Sequence, residues 1–371
     1  MPIAPRGFGL QALNGDSSVL GGAPQVFVIN DTRVDNHHGC QMVMRAIEEL
    51  LKMNQMYVFK YWPAHADWRG SSEFEQLISS SSLVLVNGEG TIHHDRPAGR
   101  RLLEVGAVAQ SYSVPVALIN TGWEANSLEF VRYLDNFDLI SARDRQSATE
   151  MRQAGAMVRV VPDLSLWYVQ TREKYNIWHN SLRHSIGVTD NVDRFKSLAL
   201  QRSMATNRTQ IVSIGYPVQG FLGWARFLRD GVSLSGDFRN PQRLMSLLHL
   251  RQRLWQQSTR DTSHILKKIS DLELLVSGRF HACTVALALG TPVVGQRSNT
   301  GKISSLFNDA GLKTWRADQE IHLIEAKQVS KFGWSASELE NLAVYLGNAK
   351  HAAQLLFKDL AVLAVRKRKQ F

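Results

Sequence analysis

The sequence has only two cysteines in 371 residues, Cys40 and Cys283, and they stand far apart. Their spacing fits neither a zinc finger nor a redox pair, so we exclude a disulfide-stapled fold and a metal centre built on cysteine. No apolar run approaches the ~20 residues that span a membrane. There is no fixed-period repeat, which argues against a solenoid or a propeller. Residues 1–22 lack the apolar core of a secretory signal, so we expect a cytoplasmic protein.

The chain carries a clear excess of positive charge. Its 43 Lys and Arg against 33 Asp and Glu give a formal net charge of +10. Net charge reports attraction and not identity, so nucleic acid, acidic lipid headgroups and phosphorylated metabolites all fit as partners. Apolar residues make up 44% and charged residues 20%, which is ordinary for a soluble chain with a large core. The length suits about two domains.

Short apolar runs alternate with stretches of helical spacing along most of the chain. Alternation of this kind predicts parallel sheets covered by helices, an α/β fold with two Rossmann-like, doubly wound domains facing a central cleft. The runs that predict strands are 26–30, 83–90, 114–122, 137–144 and 158–165, followed by 185–190, 210–216, 231–236, 272–278 and 291–296. The stretches that predict helices in the first half are 40–53, 100–110 and 145–155.

Periodicity weakens over residues 166–184, and we place the domain junction there. We therefore predict a first domain over 1–170, on the acceptor side, a second over 171–335, on the donor side, and closing helices with a basic tail over 336–371. Two capping boxes mark expected helix starts, Ser147 with Glu150 and Ser335 with Glu338.

A strand-to-helix turn in the second half carries an arginine and a histidine. The strand ends at Ser277–Gly278, and Arg279 and His281 stand where a helix of small residues begins. A helix N-terminus attracts anions, Arg holds a phosphate or carboxylate bidentately, and His exchanges a proton near neutral pH. The alternative is that Arg279 pairs with a structural carboxylate and His281 only caps the helix. The functional reading requires a corner that is not filled by the protein's own carboxylates and that faces the cleft.

These residues belong to a wider pattern that resembles the polysaccharide pyruvyl transferase family. The most specific block is Ser277-x-Arg279-x-His281, followed by Ala288-Leu-Gly-Thr-Pro-Val-Val294 and by Lys302. The first half adds Ala142-Arg143-Asp144-x-x-Ser147, Val161-Pro162-Asp163, the Gly-rich turn Asn87-Gly-Glu-Gly-Thr91 and, more loosely, Asn36-His-His-Gly39. The resemblance covers about residues 26–315.

The resemblance implies a glycosyltransferase-like, two-domain enzyme that moves the pyruvyl group of phosphoenolpyruvate onto a sugar diol as a ketal. It implies donor-binding and catalytic roles for Arg143, Arg279, His281 and Lys302, with Ser277 on the donor side. His281 is then the general acid that protonates the methylene carbon. Cations offset the charge of a donor that carries both phosphate and carboxylate. The scheme uses phosphoenolpyruvate as a co-substrate and needs no cofactor and no metal.

The Gly-rich turn departs from the family pattern at Glu89. At a strand end this carboxylate is a general base for an acceptor hydroxyl or a structural carboxylate that accepts loop hydrogen bonds. Its role as a base also suits the alternative function, a glycosyltransferase that uses a nucleotide sugar. We assign Asp35, Asn36 and His94 to the acceptor. A metal site shared by the two loops that hold histidine pairs, 37–38 and 93–94, ranks below hydrogen-bonding groups that line the cleft.

The basic run of the second half has two interpretations. One is a solvated helix face, and the other is docking at an anionic membrane leaflet, where lipid-linked sugar acceptors reside. Nucleic acid is disfavoured because no recognition motif accompanies the charge. A non-catalytic glycan-binding relative stays open as a third class, and the oligomeric state is not predicted. The run consists of Arg239, Arg243, Arg251, Arg253, Arg260, Lys267 and Lys268, and the tail adds Arg366-Lys-Arg-Lys369.

Overall fold

The first sheet of the computed structural model has six strands. The structure describes residues 22–172, 185–191, 209–215, 259–296, 301–317 and 326–366. The strands are β1 Gln25–Asp31, β2 Tyr57–Pro63, β3 Leu83–Asn87, β4 Val116–Thr121, β5 Leu139–Ala142 and β6 Arg159–Val160. They pair in the order β2-β1-β3-β4-β5-β6. Every pairing is parallel, so all the carboxyl ends lie at one edge of the sheet.

Helices cover both faces of this sheet. Val26 and Val28 of β1 join one core cluster, whereas the alternating Phe27 and Ile29 join another on the opposite face. Apolar residues on both faces are what the continuous runs predict. The helices are α1 His38–Met53, α2 Ser72–Ser79, α3 Pro97–Ser111, α4 Leu128–Arg132, α5 Arg145–Gln153 and α6 Leu164–Gln170, with 3-10 turns at Thr32–Asp35 and Tyr133–Asn136.

A second parallel sheet follows, which confirms the predicted α/β class. Its strands β7 Ile186–Asn191, β8 Thr209–Ile211, β9 Leu274–Gly278 and β10 Val293–Gly295 pair in the order β10-β9-β7-β8. Its helices are α7 Thr262–Ser270, α8 Phe280–Ala288, α9 Lys302–Asp309 and α10 Ala336–Arg366, with 3-10 turns at Thr314–Arg316 and Ala326–Phe332.

Helix α8 lies at the junction of the two halves. All nine of its residues are buried, and its small side chains let it pack closely against α6 of the first half. The hydroxyls of Ser165 in α6 and Thr284 in α8 are hydrogen-bonded at 2.8 Å. Helix α10 packs against α6 and α1, so the last described helix also contacts the first half.

The start of α1 makes a second junction. The His38 backbone N–H donates to the Ile214 carbonyl at 2.9 Å. The fully buried His38 ring places Nε2 2.8 Å from the Thr259 carbonyl, and His37 forms an isolated antiparallel bridge with Gly215. These contacts seat the beginning of α1, and with it Gly39, against the second half.

One local prediction is wrong, one strand was not predicted, and one local prediction is confirmed. Helix α5 does not start at Ser147: its cap is Asp144, whose carboxylate accepts the Ser147 N–H at 2.7 Å. Because Asp ranks with Ser as a cap and stands three residues earlier, it takes the position. Strand β2 was not predicted, because its residues are only half-buried and include Lys60. The Ser335–Glu338 box is confirmed, with Ser335 N–H donating to Glu338 at 3.1 Å.

Several predictions lie outside the described residues. They are the strand at 231–236, most of the basic run (Arg239, Arg243, Arg251, Arg253) and the tail after residue 366. The domain bounds at 170/171 and 335/336 stay a prediction. Among the described helices, none combines the length and apolarity needed to cross a bilayer.

Candidate active site

The carboxyl edge of the first sheet is built around Glu89. Three residues at strand ends adopt left-handed backbone angles, Asn30 (φ 67°), Glu89 (φ 43°) and Asn120 (φ 53°). Asn tolerates this region, but for Glu it is a cost that persists mainly at functional sites. The Gly122 N–H donates to the Glu89 carbonyl at 2.7 Å and holds the turn. The sheet edge therefore forces the Glu89 side chain into one position.

His281 lies in the first turn of α8 and faces this edge. Its Nε2 stands 3.6 Å from Glu89 Oε1 and 3.8 Å from Asp163 Oδ2. These atoms are buried, and none has a hydrogen-bond partner within the described part of the chain. Burial, together with the nearby charges of Arg143 and Lys302, lowers the pKa of His281 from 6.5 to about 3. The imidazole is therefore neutral at pH 7 when no anion is bound.

The requirement that the corner around His281 be free of the protein's own carboxylates is fulfilled only in part. Two of the protein's own carboxylates face His281, but both stand beyond hydrogen-bond distance. Neither carboxylate therefore forms the close hydrogen bond to His281 that would mark it as a purely structural histidine. The position of His281 between the two halves agrees with the expected cleft.

Gly39 of α1 fixes the place of the His281 ring. A Cβ added at Gly39 would lie 2.0 Å from His281 Cγ and 2.3 Å from Nδ1. No side chain fits there, so the backbone of α1 packs directly on the imidazole. The His37 ring lies 5.3 Å from the His281 ring, centroid to centroid, and caps α1 by accepting the Gly39 N–H at 3.1 Å. The start of α1 thus clamps His281.

Glu89 is poised to hold a proton. Burial raises its pKa from 4.5 to about 7, the Thr32 hydroxyl opposes the shift, and the charge of Asp163 adds to it. Glu89 therefore holds its proton to a higher pH than an exposed glutamate does. The carboxyl and the neutral imidazole beside it together form a pair in which the proton resides on the acid.

Arg143 follows β5 and is a buried cation with poor pairing. Its side chain is 5% exposed and its Nη1 stands 3.7 Å from Asp163 Oδ2, while its Nε has no hydrogen-bond partner in the described residues. The guanidinium stacks 4.2 Å above the Phe280 ring. A Cβ at Gly122 would lie 3.1 Å from Nη2, so this glycine provides the room that Arg143 needs. A buried charge without full pairing is costly unless a ligand completes it.

The N-termini of helices α3, α5 and α9 meet at a pocket of about 220 Å³. Arg96 at the start of α3 and Gly301 at the start of α9 make no side-chain cap bond, and the dipoles of such ends favour an anion. Cations from Arg96, Arg143 and Lys302 line the pocket. Burial and the charges of Arg143 and Arg279 lower the pKa of Lys302 from 10.5 to about 8. The further lining residues are Gly90, Ile92, His93, Gly122, Trp123, Glu124, Asp144, Gln146, Ser147 and Ser305.

Ser277 and Arg279 shape the turn before α8. The fully buried Ser277 hydroxyl accepts the Arg279 N–H at 3.0 Å and donates to the Arg279 carbonyl at 3.1 Å. Ser277 is therefore engaged with backbone, and its role toward the donor stays a prediction. Arg279 is half-buried and does not line the pocket, but its charge acts on Lys302.

The three predicted acceptor residues are not brought into one place. Asp35 pairs with His65 at 2.8 Å and lines a second, smaller cavity. Asn36 has a left-handed backbone (φ 51°) and ends the turn before α1. The His94 ring stands with Nδ1 3.0 Å from Nδ1 of His93, and His94 lines neither cavity. Their acceptor roles stay predictions.

The sequence analysis did not predict one cluster of side chains that are common metal ligands. His37, Cys40 and His281 offer ligand atoms within 4.8 Å of one another. Burial and the nearby charges of Glu89 and Asp35 raise the pKa of Cys40 well above its ordinary value, so it stays a thiol, and His37 Nδ1 is used by the Gly39 N–H. We assign no metal to this group. The mixed site shared by the loops 37–38 and 93–94 stays a prediction, and His38 of that set is buried with its Nε2 2.8 Å from the Thr259 carbonyl.

Asp163 and Gly39 are site residues to which sequence reasoning gave no role. Both lie inside motifs that were recognised, Val161-Pro162-Asp163 and Asn36-His-His-Gly39. Asp163 caps α6 by accepting the Ser165 N–H at 3.0 Å and turns its other oxygen to His281. A carboxylate three residues after the short strand β6 was the available signal.

A family model described as "Polysaccharide pyruvyl transferase" matches residues 37–295. The chain belongs to this family. The match includes Gly39, Glu89, Arg143, Asp163 and His281. Comparison with curated protein sequences finds no significant match.

Solved structures agree with a glycosyltransferase-B-like fold. The UDP complex of MnaA from S. aureus shares 12% identity with a TM-score of 0.55, covering 89% of this chain and 94% of that one. A protein of Listeria monocytogenes assigned as a UDP-N-acetylglucosamine 2-epimerase shares 11% identity with a TM-score of 0.54 and the same coverages of 89% and 94%. At such identity the likeness concerns the fold alone. The polysaccharide pyruvyl transferase membership points to a transferase in polysaccharide biosynthesis with a sugar or polysaccharide acceptor.

Proposed function

We propose that the protein transfers the pyruvyl group of phosphoenolpyruvate onto two hydroxyls of a sugar, forming a ketal and releasing phosphate. The observation that carries the proposal is the cationic pocket at three helix N-termini beside a buried imidazole–carboxyl pair. A donor with a phosphate and a carboxylate needs several cations to leave water. Lys302 and Arg96 suit the phosphate, while Arg143 suits the end of the donor nearer His281. Arg279 lies outside the pocket lining and contributes its charge through Lys302.

Donor binding supplies the protonation that His281 lacks in the empty site. An anion beside Arg143 and Lys302 offsets the positive charges that lower the pKa of His281, and so raises that pKa. Glu89 Oε1, 3.6 Å from Nε2, then gives its proton to the imidazole. His281 in turn protonates the methylene carbon as general acid. Glu89, now a carboxylate, is the base for the acceptor hydroxyl.

The reaction balances without another reactant. The methylene carbon takes one proton and becomes a methyl group, which leaves an oxocarbenium centre at the neighbouring carbon. One sugar hydroxyl adds there and loses its proton. The carbon–oxygen bond to phosphate then breaks, and the second hydroxyl closes the ring. Of the two protons lost by the diol, one is found on the methyl group and one on phosphate, so no cofactor and no metal takes part.

We also propose a setting for this reaction. The acceptor is a sugar of a cell-surface polysaccharide or of its lipid-linked precursor, and the reaction takes place in the cytoplasm. Docking at an anionic membrane surface would use the basic run, of which Arg260, Lys267 and Lys268 fall in the described residues. Lys267 pairs with Asp271 at 2.8 Å within α7, which favours a solvated helix face there.

Phosphate release tests the proposal. Purified protein is incubated with phosphoenolpyruvate and a panel of glycosides, and phosphate release is measured together with the proton NMR signal of a ketal methyl group. Lys302→Ala should raise the KM for phosphoenolpyruvate about tenfold or more, and Lys313→Ala, an exposed lysine outside the pocket, should not. An unchanged KM in Lys302→Ala would contradict the assignment of this lysine.

The alternative is a glycosyltransferase with a nucleotide-sugar donor, in which the same cations hold a diphosphate. Nucleotide release from a sugar nucleotide, with no consumption of phosphoenolpyruvate, would favour it. If neither donor is used and glycans still bind, the third class, a non-catalytic glycan-binding relative, is correct.

A further inference from the structure

A second cavity lies on the other side of the Gly-rich turn from the cationic pocket. Gly90 and Ile92 line the cationic pocket, whereas Thr91, between them, lines the second cavity, of about 50 Å³. Thr32 also lines the second cavity, and its hydroxyl acts on the Glu89 carboxyl. The Glu89 turn is thus the wall that separates the two spaces.

Two tryptophans form the apolar side of this cavity. The Trp68 ring stacks on Phe74 with centroids 5.0 Å apart and an interplanar angle of 19°, and the Trp62 ring meets the same Phe74 at 5.0 Å and 77°. The two indoles are therefore steeply inclined to one another. Both line the cavity, and each is only partly buried.

The polar edges of both indoles are already satisfied. Trp68 Nε1 donates to the Arg101 carbonyl at 3.0 Å, and Trp62 Nε1 donates to the Ala66 carbonyl at 3.4 Å. These bonds and Phe74 fix the rings, so what they offer to a ligand is flat carbon surface.

Polar groups face the same space. The Asp35 carboxylate, 39% exposed, is held by His65 Nε2 at 2.8 Å. Thr91 adds a hydroxyl. A rigid aromatic corner with a carboxylate opposite matches a pyranose, whose C–H face is apolar and whose rim carries hydroxyls that donate to carboxylates. The enclosed volume is small, so the sugar ring lies across the mouth and not inside.

We infer that this cavity binds a pyranose ring of the acceptor glycan, stacked on Trp62 and hydrogen-bonded to Asp35, while the donor occupies the cationic pocket. The inference rests on the proposed function for the word acceptor. It assigns to Trp62 and Trp68 a role in sugar binding, and it assigns to Asp35 a hydrogen bond to a sugar hydroxyl. Because the Glu89 turn separates the two spaces, the ring bound here is a neighbour, within the acceptor glycan, of the sugar that receives the pyruvyl group.

Saturation-transfer NMR tests the inference without any donor. The probes are the methyl glycosides of glucose, galactose, mannose and N-acetylglucosamine. At least one should receive saturation on its ring C–H protons, and Trp62→Ala should weaken its binding about tenfold. Trp62→Phe should retain most of the affinity, which separates loss of the aromatic face from misfolding. Tyr112→Ala, an exposed aromatic outside the cavity, and Lys302→Ala should leave sugar binding unchanged.

The outcomes separate this inference from the proposed function. Trp62-dependent sugar binding without use of phosphoenolpyruvate would keep the inference and contradict the proposed function. Ketal formation with the same acceptor KM in Trp62→Ala, Asp35→Asn and the parent protein would overturn the inference and keep the proposed function. Lack of saturation transfer to any of the four glycosides would also overturn the inference.

Discussion

Two buried arginines with different surroundings show which part of the molecule is built for stability and which for a ligand. Arg316 is fully buried and donates five hydrogen bonds, two to Glu338 and three to the carbonyls of Val293, Phe332 and Gly333. Arg143 is nearly as buried, but its nearest carboxylate oxygen in the ion pair with Asp163 is 3.7 Å away and its Nε has no partner in the described residues. Folding therefore satisfies the hydrogen-bond donors of the Arg316 guanidinium, whereas it leaves those of Arg143 without close partners in the described residues.

The indole rings around Arg316 extend the contrast. Its guanidinium carbon lies 4.6 Å from the Trp315 ring centroid and 4.3 Å from that of Trp334. Within the described residues, Arg316 lines neither of the two cavities, whereas Arg143 lines the cationic pocket. Burial alone therefore does not mark a functional charge, and incomplete pairing beside a cavity does.

The largest expected effect is on catalysis by Arg143→Lys. The variant keeps the charge but loses the planar fork, so kcat/KM for phosphoenolpyruvate should fall about 10²–10³-fold. Steady-state phosphate release measures it. Arg316→Lys, corrected for the folded fraction, should keep kcat/KM within about threefold. Equal losses of kcat/KM in the two variants would contradict the assignment of Arg143 to the ligand and Arg316 to stability.

The next effect is on stability and reverses the order. Arg316→Lys cannot replace the bidentate contact with Glu338, so the free energy of unfolding should fall by about 3 kcal/mol. Arg143→Lys, which loses no well-formed hydrogen bond, should change it by less than about 1 kcal/mol. Urea denaturation followed by circular dichroism gives both values. A larger loss for Arg143→Lys would mean that this arginine is structural.

A smaller effect should come from Gly39→Ala, which pushes against His281 without removing it. The added Cβ would lie 2.0 Å from His281 Cγ, so the ring must move and kcat should fall about tenfold or more. Gly347→Ala in α10 is the matched control, because nothing lies within 4 Å of its added Cβ. The control should keep its activity and gain up to about 1 kcal/mol from helix propensity. Full activity in Gly39→Ala would show that the clamp is unimportant.

The smallest effect concerns pH. Folding raises the pKa of Glu89 from 4.5 to about 7, so the folded protein binds this proton more tightly than the unfolded chain. The resulting stability is present below pH 4.5 and is lost as the pH rises through about 7. Glu89→Gln should therefore gain stability relative to the parent between about pH 5 and about pH 8. The exposed Glu340→Gln should not, and a parallel pH dependence in all three proteins would place Glu89 in water.

The fold was largely predictable, because strands buried on both faces are continuous apolar runs. Strands β1, β3, β4 and β9 follow from that pattern, while β2 was missed as a half-buried strand at the edge of the sheet. Of the cations that line the pocket, Arg143 and Lys302 were recognised from motifs, whereas Arg96 was not. The pairing of Glu89 with His281, the clamp by Gly39 and the aromatic cavity were not, since each joins residues from different elements and only tertiary packing brings them together.

The most direct test of the central claim uses phosphoenolpyruvate labelled with ¹³C at the methylene carbon, incubated with an acceptor glycoside in D₂O. The account predicts a ¹³C-labelled ketal methyl group that carries one deuterium, delivered by His281 after exchange with solvent, together with one phosphate per ketal. A product without the label, or label that stays in the methylene group of phosphoenolpyruvate while the acceptor is modified, would contradict the claim that the cationic pocket and His281 activate this donor.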